Sequence, residues 1–64
     1  MYKKVAVDGK MEDVKSMSLK EMQDFVGGYI EEHGEFIVNE DGLMLNLPRN
    51  KLFPQYVGNV IIQI

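Results

Sequence analysis

The chain has no cysteine and no threonine, and only one histidine, one arginine and two prolines among its 64 residues. Each scarcity closes off a class of structure or chemistry. Without cysteine there is no disulfide staple and no thiolate metal site, and a lone histidine, His33, leaves few structural zinc arrangements. Nucleophilic catalysis needs an activated Ser, Cys or Thr beside a base. Only Ser16 and Ser18 are present for that role. No apolar run approaches the roughly 20 residues of a membrane span. Met1-Tyr2-Lys3-Lys4 passes through Val5-Ala6-Val7 into Asp8-Gly9, too short for the apolar core of a signal peptide. A formal net charge of −3, with its acidic side chains scattered, lacks the basic footprint of a DNA or RNA binder. The same scatter lacks the dense carboxylates of a DNA mimic. The expectation is one domain over residues 1–64, in a reducing cytoplasm, with no cofactor and no membrane partner. A chain this small buries only about 60% of the surface its unfolded form exposes, so disulfides, metals or oligomerisation usually supplement it. With the first two closed off, self-association is the expected supplement.

Tyr2 to Val7 reads as a strand with Val5 and Val7 on one face, and Asp8-Gly9 as a two-residue hairpin turn. Lys10 to Met17 is the return strand, although Met11 and Val14 do not share a face. Ser18-Leu19-Lys20-Glu21 is a capping box, in which Ser18 caps the first amides while Glu21 reaches back. Leu19, Met22, Phe25 and Val26 then form an apolar stripe at helical spacing. Gly27 suits the left-handed residue that ends such a helix. Two turns of helix are marginal alone and need a sheet to pack on. Tyr29 to Glu32 is the next strand, His33-Gly34 its turn, and Glu35 to Asn39 the return, with Phe36 and Val38 opposing Ile37. Glu40-Asp41-Gly42 turns the chain again, and Leu43, Leu45 and Leu47 alternate as a strand that Pro48 ends. Arg49 to Tyr56 is irregular. Val57 to Ile64 closes the chain as a strand, with Val60, Ile62 and Ile64 opposite Asn59, Ile61 and Gln63. The sum is an α+β domain: one short helix packed on a small antiparallel β-sheet of four to five strands.

Catalytic residues are not found. Glu31-Glu32 and Glu40-Asp41 are paired carboxylates, but neighbours in a strand point to opposite faces and do not converge on one substrate atom. Glu31, Glu32, His33 and Glu35 match no metal-ligand spacing, and a solvated turn accounts for them better. Gly27-Gly28 follows a helix, whereas phosphate loops precede one; a helix stop explains the pair. One constellation remains. Arg49 offers a donor fork suited to phosphate, with Lys51 close by. Tyr29 and Tyr56 carry stacking faces, and Asn39 and Asn50 carry amides that pair with base edges. These six residues form the candidate site for a nucleotide-sized ligand. The competing reading is that the asparagines are turn residues and Arg49 an ordinary surface charge.

Four ordered blocks, Val26-Gly27-Gly28-Tyr29-Ile30-Glu31, Asn39-Glu40-Asp41-Gly42, Leu47-Pro48-Arg49-Asn50 and Gly58-Asn59-Val60-Ile61-Ile62, resemble the small bacterial and phage proteins grouped as domain of unknown function 3846. The resemblance runs from about Leu19 to the C-terminus. The chain departs from the pattern in its short His33-Gly34 turn, where relatives are expected to carry longer insertions. The resemblance implies a context of phages, prophages and conjugative elements, among genes that oppose host defences, and hence the host cytoplasm as location. In that context the expected function is non-enzymatic. A homo-oligomer would sequester a nucleotide-derived immune signal, such as a cyclic dinucleotide (cGAMP, for example) or an ADP-ribose derivative. Alternatives are a protein–protein inhibitor of a defence effector, with the C-terminal strand augmenting a partner's sheet, and an accessory protein without ligand.

Overall fold

A computed structural model describes all residues from Met1 to Ile64. Five strands and one helix follow in the order β1 (Tyr2–Val5), β2 (Met11–Val14), α1 (Leu19–Val26), β3 (Ile30–His33), β4 (Phe36–Asn39) and β5 (Val60–Gln63). The strands form a single sheet in the order β2-β1-β5-β4-β3, and every neighbouring pair is antiparallel. This is the α+β architecture that the periodicity predicts.

The helix forms where the local code places it. Ser18 Oγ accepts from the Glu21 amide at 3.1 Å, and a Glu21 carboxylate oxygen accepts from the Ser18 amide at 2.8 Å. That reciprocal bond holds the Glu21 carboxyl below its ordinary value, the Ser18 amide being the main cause. At the other end Gly27 takes φ 86° and its amide bonds to the Gln23 carbonyl. A side chain there would meet the Cβ penalty of the left-handed region. Gly28 serves a second purpose, since a Cβ on it would lie 3.1 Å from the Asn39 amide nitrogen.

Both faces of the sheet are covered. On one, Met22 and Val26 of α1 pack on Ile37 and Ile61, with Tyr2, Met17, Phe25 and Ile30 around them. On the other, Val5, Val38 and Val60 are covered by Phe53 and Tyr56 from the segment between β4 and β5. β5 therefore alternates apolar residues toward two cores: Val60 and Ile61 are buried on opposite faces. The C-terminal strand is central, paired on both sides with β1 and β4, so it has no free edge to add to a partner's sheet. The free edges belong to β2 and β3.

Four local expectations change. His33 belongs to β3 and pairs with Phe36, so Gly34-Glu35 and not His33-Gly34 is the turn of that hairpin, the strand being one residue longer than expected there. The first hairpin closes through three residues, Val7 to Gly9, with the Ala6 amide bonded to Lys10 O and Gly9 N to Ala6 O. That is the bulged three-residue loop rather than a two-residue turn, and it puts Val7 beyond the strand. β2 is shorter than Lys10–Met17 and shows no apolar alternation because it is an edge strand. Its Asp13 and Glu12 instead pair across to Lys3 (2.7 Å) and Lys4 (3.8 Å). The Leu43-Leu45-Leu47 alternation is not a strand. The Leu45 amide bonds to Asp41 O, Asn46 N to Leu43 O, and Leu47 N to Gly42 O, with Asn46 at φ 54°. This is one helical turn closed by a Schellman motif, with asparagine at its left-handed position. Only Leu47 turns inward, where a Cβ on Gly58 (φ 78°) would sit 2.8 Å from its Cδ1.

Candidate functional site

The connection from Glu40 to Asn59 determines the surface on this side of the molecule. It is held to the sheet by asparagine side chains. Asn50 is fully buried. Its Nδ2 donates toward the carbonyls of Gly58 (3.0 Å), Ala6 (3.2 Å) and Val5 (3.3 Å), while its Oδ1 accepts from the amides of Leu52 and Phe53, both at 3.0 Å. Asn39 Nδ2 donates to Val26 O at 3.0 Å and Oδ1 accepts from the Asp41 amide at 2.7 Å. Asn59 Nδ2 donates to Phe25 O at 2.8 Å and Oδ1 accepts from the Val7 amide at 2.9 Å. Asn39 and Asn59 thus satisfy two carbonyls in the last turn of α1, which would otherwise lack partners. No buried side-chain nitrogen or oxygen is left unpaired.

Beside this framework lies a cleft of about 450 Å³, formed by β3, the turn after β4 and the strand-like segment at Arg49 and Tyr56–Val57. Arg49 bridges to Val57, and its Nη1 donates to the Pro54 carbonyl at 2.8 Å. The guanidinium has no acidic partner, since the salt bridges of the molecule are made by Lys3, Lys4 and Lys20 and the remaining carboxylate contact by His33. Tyr56 is half-buried. Its ring meets Phe36 at 5.0 Å and the edge of His33 at 5.9 Å, so it presents a held aromatic surface. His33 Nε2 lies 3.3 Å from a Glu31 carboxylate oxygen, an i,i+2 pair on one face of β3.

The structure brings three of the six expected site residues to this cleft: Arg49, Tyr56 and Asn39. Asn39 contributes only as structure, its amide being occupied at both ends. Asn50 is equally occupied and points inward, away from solvent. Lys51 lies near the first hairpin, its amide bonded to Val7 O. Tyr29 is 70% exposed and lines a separate shallow hollow with Gly27 and Gly28. The constellation assembled from residue types is therefore divided among four places: the cleft, the buried position of Asn50, the first hairpin and the hollow beside Gly28.

Sequence reasoning considered Glu40 and Asp41 as a carboxylate pair and set them aside. As strand neighbours they would diverge, but they occupy a turn and both line the cleft, with Glu31 nearby. The cue was the Glu40-Asp41-Gly42 turn signal itself, which frees adjacent side chains from strand alternation. Leu43 and Met44 flank the same cleft and are 80% and 83% exposed. No group of three or more His, Asp or Glu side chains is arranged to hold a metal ion, and no helix is long and apolar enough to cross a membrane.

No curated protein and no solved structure matches the chain. A family model does, over residues 4–63, and so takes in the first hairpin as well as the four blocks. The match spans both edges of the sheet, the helix, the asparagine-tied connection and the cleft, and the chain belongs to the family described as Domain of unknown function (DUF3846).

Proposed function

We propose that the protein captures a nucleotide-sized small molecule without transforming it, using the cleft beside Arg49 and Tyr56. The observation that carries this reading is the coincidence of one guanidinium without an acidic partner and one held aromatic ring in a cavity of about 450 Å³. Such a volume lies in the range of small-ligand pockets, roughly 300–1,000 Å³. Arg49 would meet a phosphate through charge-assisted hydrogen bonds, and Tyr56 would stack on a base. Binding without turnover suits a chain whose Ser18 hydroxyl is spent on a helix cap. In the mobile-element setting that the family resemblance implies, capture means sequestration of a nucleotide-derived immune signal. The exposed Leu43 and Met44 at the rim are where a second copy would close the cleft, consistent with the self-association expected of so small a core.

Calorimetry with a panel of cyclic dinucleotides and ADP-ribose derivatives, alongside native mass spectrometry for subunit count and retained ligand, tests the reading. Heat with a panel member that vanishes in Arg49→Ala supports it; no heat with any member ends it. The exposed Leu43-Met44-Leu45 shoulder also supports a second reading, a protein partner seated there. Stoichiometric co-purification of a host protein that Met44→Glu abolishes, with no retained small molecule, would favour that alternative.

A further inference from the structure

Only two side chains in the lining of the cleft are able to carry positive charge, Arg49 and His33, and no lysine lines it. The ligands of the capture reading, cyclic dinucleotides and ADP-ribose derivatives, each bring two phosphate charges. One guanidinium offsets one of them. His33 ends β3 and is held from two sides. Its Nε2 lies 3.3 Å from a Glu31 carboxylate oxygen, and its ring meets that of Tyr56 at 5.9 Å and 67°. The imidazole therefore stands beside the proposed stacking surface. Resting on the capture reading above, we infer that His33 in its protonated form is the second cationic contact of the site, engaging the second phosphate of a two-phosphate nucleotide. With Nε2 turned to Glu31, Nδ1 is the donor left for a phosphate oxygen, and both ring nitrogens donate only in the cation. The groups around the imidazole fix the sign of the effect. Glu31 on its own strand, and Glu40 and Asp41 from the turn after β4, add negative charge to the cleft, against Arg49 from the connection. Phe36, opposite His33 on β4, brings no charge, and Tyr56 contributes its ring. While His33 is neutral, three carboxylates stand against one cation; its protonation offsets Glu31. An anionic ligand should bind more tightly as pH falls, and should draw a proton onto the site as it binds.

The experiment is calorimetry of cGAMP and of ADP-ribose with the full chain at constant ionic strength. Titrations at about pH 8 and about pH 5.5 bracket the range in which histidine side chains ordinarily change charge. Neither probe has a monoester phosphate, the kind that titrates near pH 6, so the ligand's own charge stays fixed. A unit charge roughly 7 Å from a phosphate changes affinity about threefold even at the dielectric constant of water. Affinity for a bound probe should therefore rise by about threefold or more from the higher pH to the lower. Between these limits, buffers of different ionisation enthalpy should reveal proton uptake on binding. His33→Gln should abolish both the rise and the uptake. His33→Lys, positive at both pH values, should bind at the higher pH about as wild type does at the lower. The side chain is 48% exposed at a strand end, so both variants retain the fold, and circular dichroism verifies it. Affinity that does not change with pH, or a pH dependence that survives in His33→Gln, overturns the inference while leaving capture intact. A lysine variant that binds no more tightly than the glutamine variant at the higher pH overturns it as well. Failure of both probes to bind overturns the inference, and failure of the whole panel overturns capture with it.

Discussion

Replacing Asn50 should remove most of the stability of this domain. The side chain is fully buried and joins five backbone groups from three segments: Val5 and Ala6 at the end of β1, Leu52 and Phe53 in the connection, and Gly58 before β5. Two N–H donors serve three carbonyls, so about four effective hydrogen bonds are at stake. At a net worth of roughly 1 kcal/mol each, Asn50→Ala costs about 4 kcal/mol, and more if the freed amides stay dry. A domain of this length has a total stability of only about 3–10 kcal/mol. Urea unfolding followed by circular dichroism measures the difference directly.

Asn50→Asp sharpens the test. The carboxylate keeps its bonds from the Leu52 and Phe53 amides but directs negative charge at three carbonyls, which raises its folded pKa above the unfolded value. When protonated it regains a donor. Between the two pKa values the native state binds more protons than the unfolded state, so stability relative to wild type falls as pH rises through that window. Asn50→Asp should therefore be closest to wild type below about pH 4 and furthest from it near pH 7. An alanine cost below about 1 kcal/mol would refute the view that this asparagine ties the connection to the sheet. So would an aspartate variant whose deficit does not change with pH.

Other consequences follow from the same geometry. Ser18→Ala removes the N-cap and should lower stability by about 1 kcal/mol in thermal or urea melts. Glu21 has its carboxyl held below the ordinary value by the Ser18 amide, so its contribution is present above the unfolded pKa and lost as pH falls through the folded one; Glu21→Gln should remove that part of the acid limb. Gly58→Ala meets both a left-handed backbone and the Leu47 side chain at 2.8 Å, and should cost about 1–3 kcal/mol in chemical denaturation. Arg49→Ala should leave the melting curve nearly unchanged, since its one hydrogen bond is exposed, yet weaken ligand capture by about 1.5–3 kcal/mol. Tyr29→Ala, outside the cleft lining, should alter neither, and a loss of capture there would move the site to the hollow beside Gly28.

What lies close together in the chain was decided by the sequence alone. The capping box at Ser18 and Glu21, the helix stop at Gly27, and the alternation through Phe36–Val38 and Val60–Ile62 are local patterns, and each appears where the spacing puts it. The family blocks are equally local and equally legible. Tertiary structure decided everything that depends on which segments meet. Three leucines with period two became one helical turn, because Asn46 closes it and only Leu47 finds a place between Gly42 and Gly58. Asn50, chosen for its amide, spends that amide on backbone groups up to 45 positions away, and no spacing rule encodes such a pairing. Glu40 and Asp41 share a cleft because their segment leaves the sheet, and only the fold brings β3 beside Arg49 and Tyr56. Residue type shows what a side chain is able to bind; the contacts that bury or free it determine which of those options it keeps.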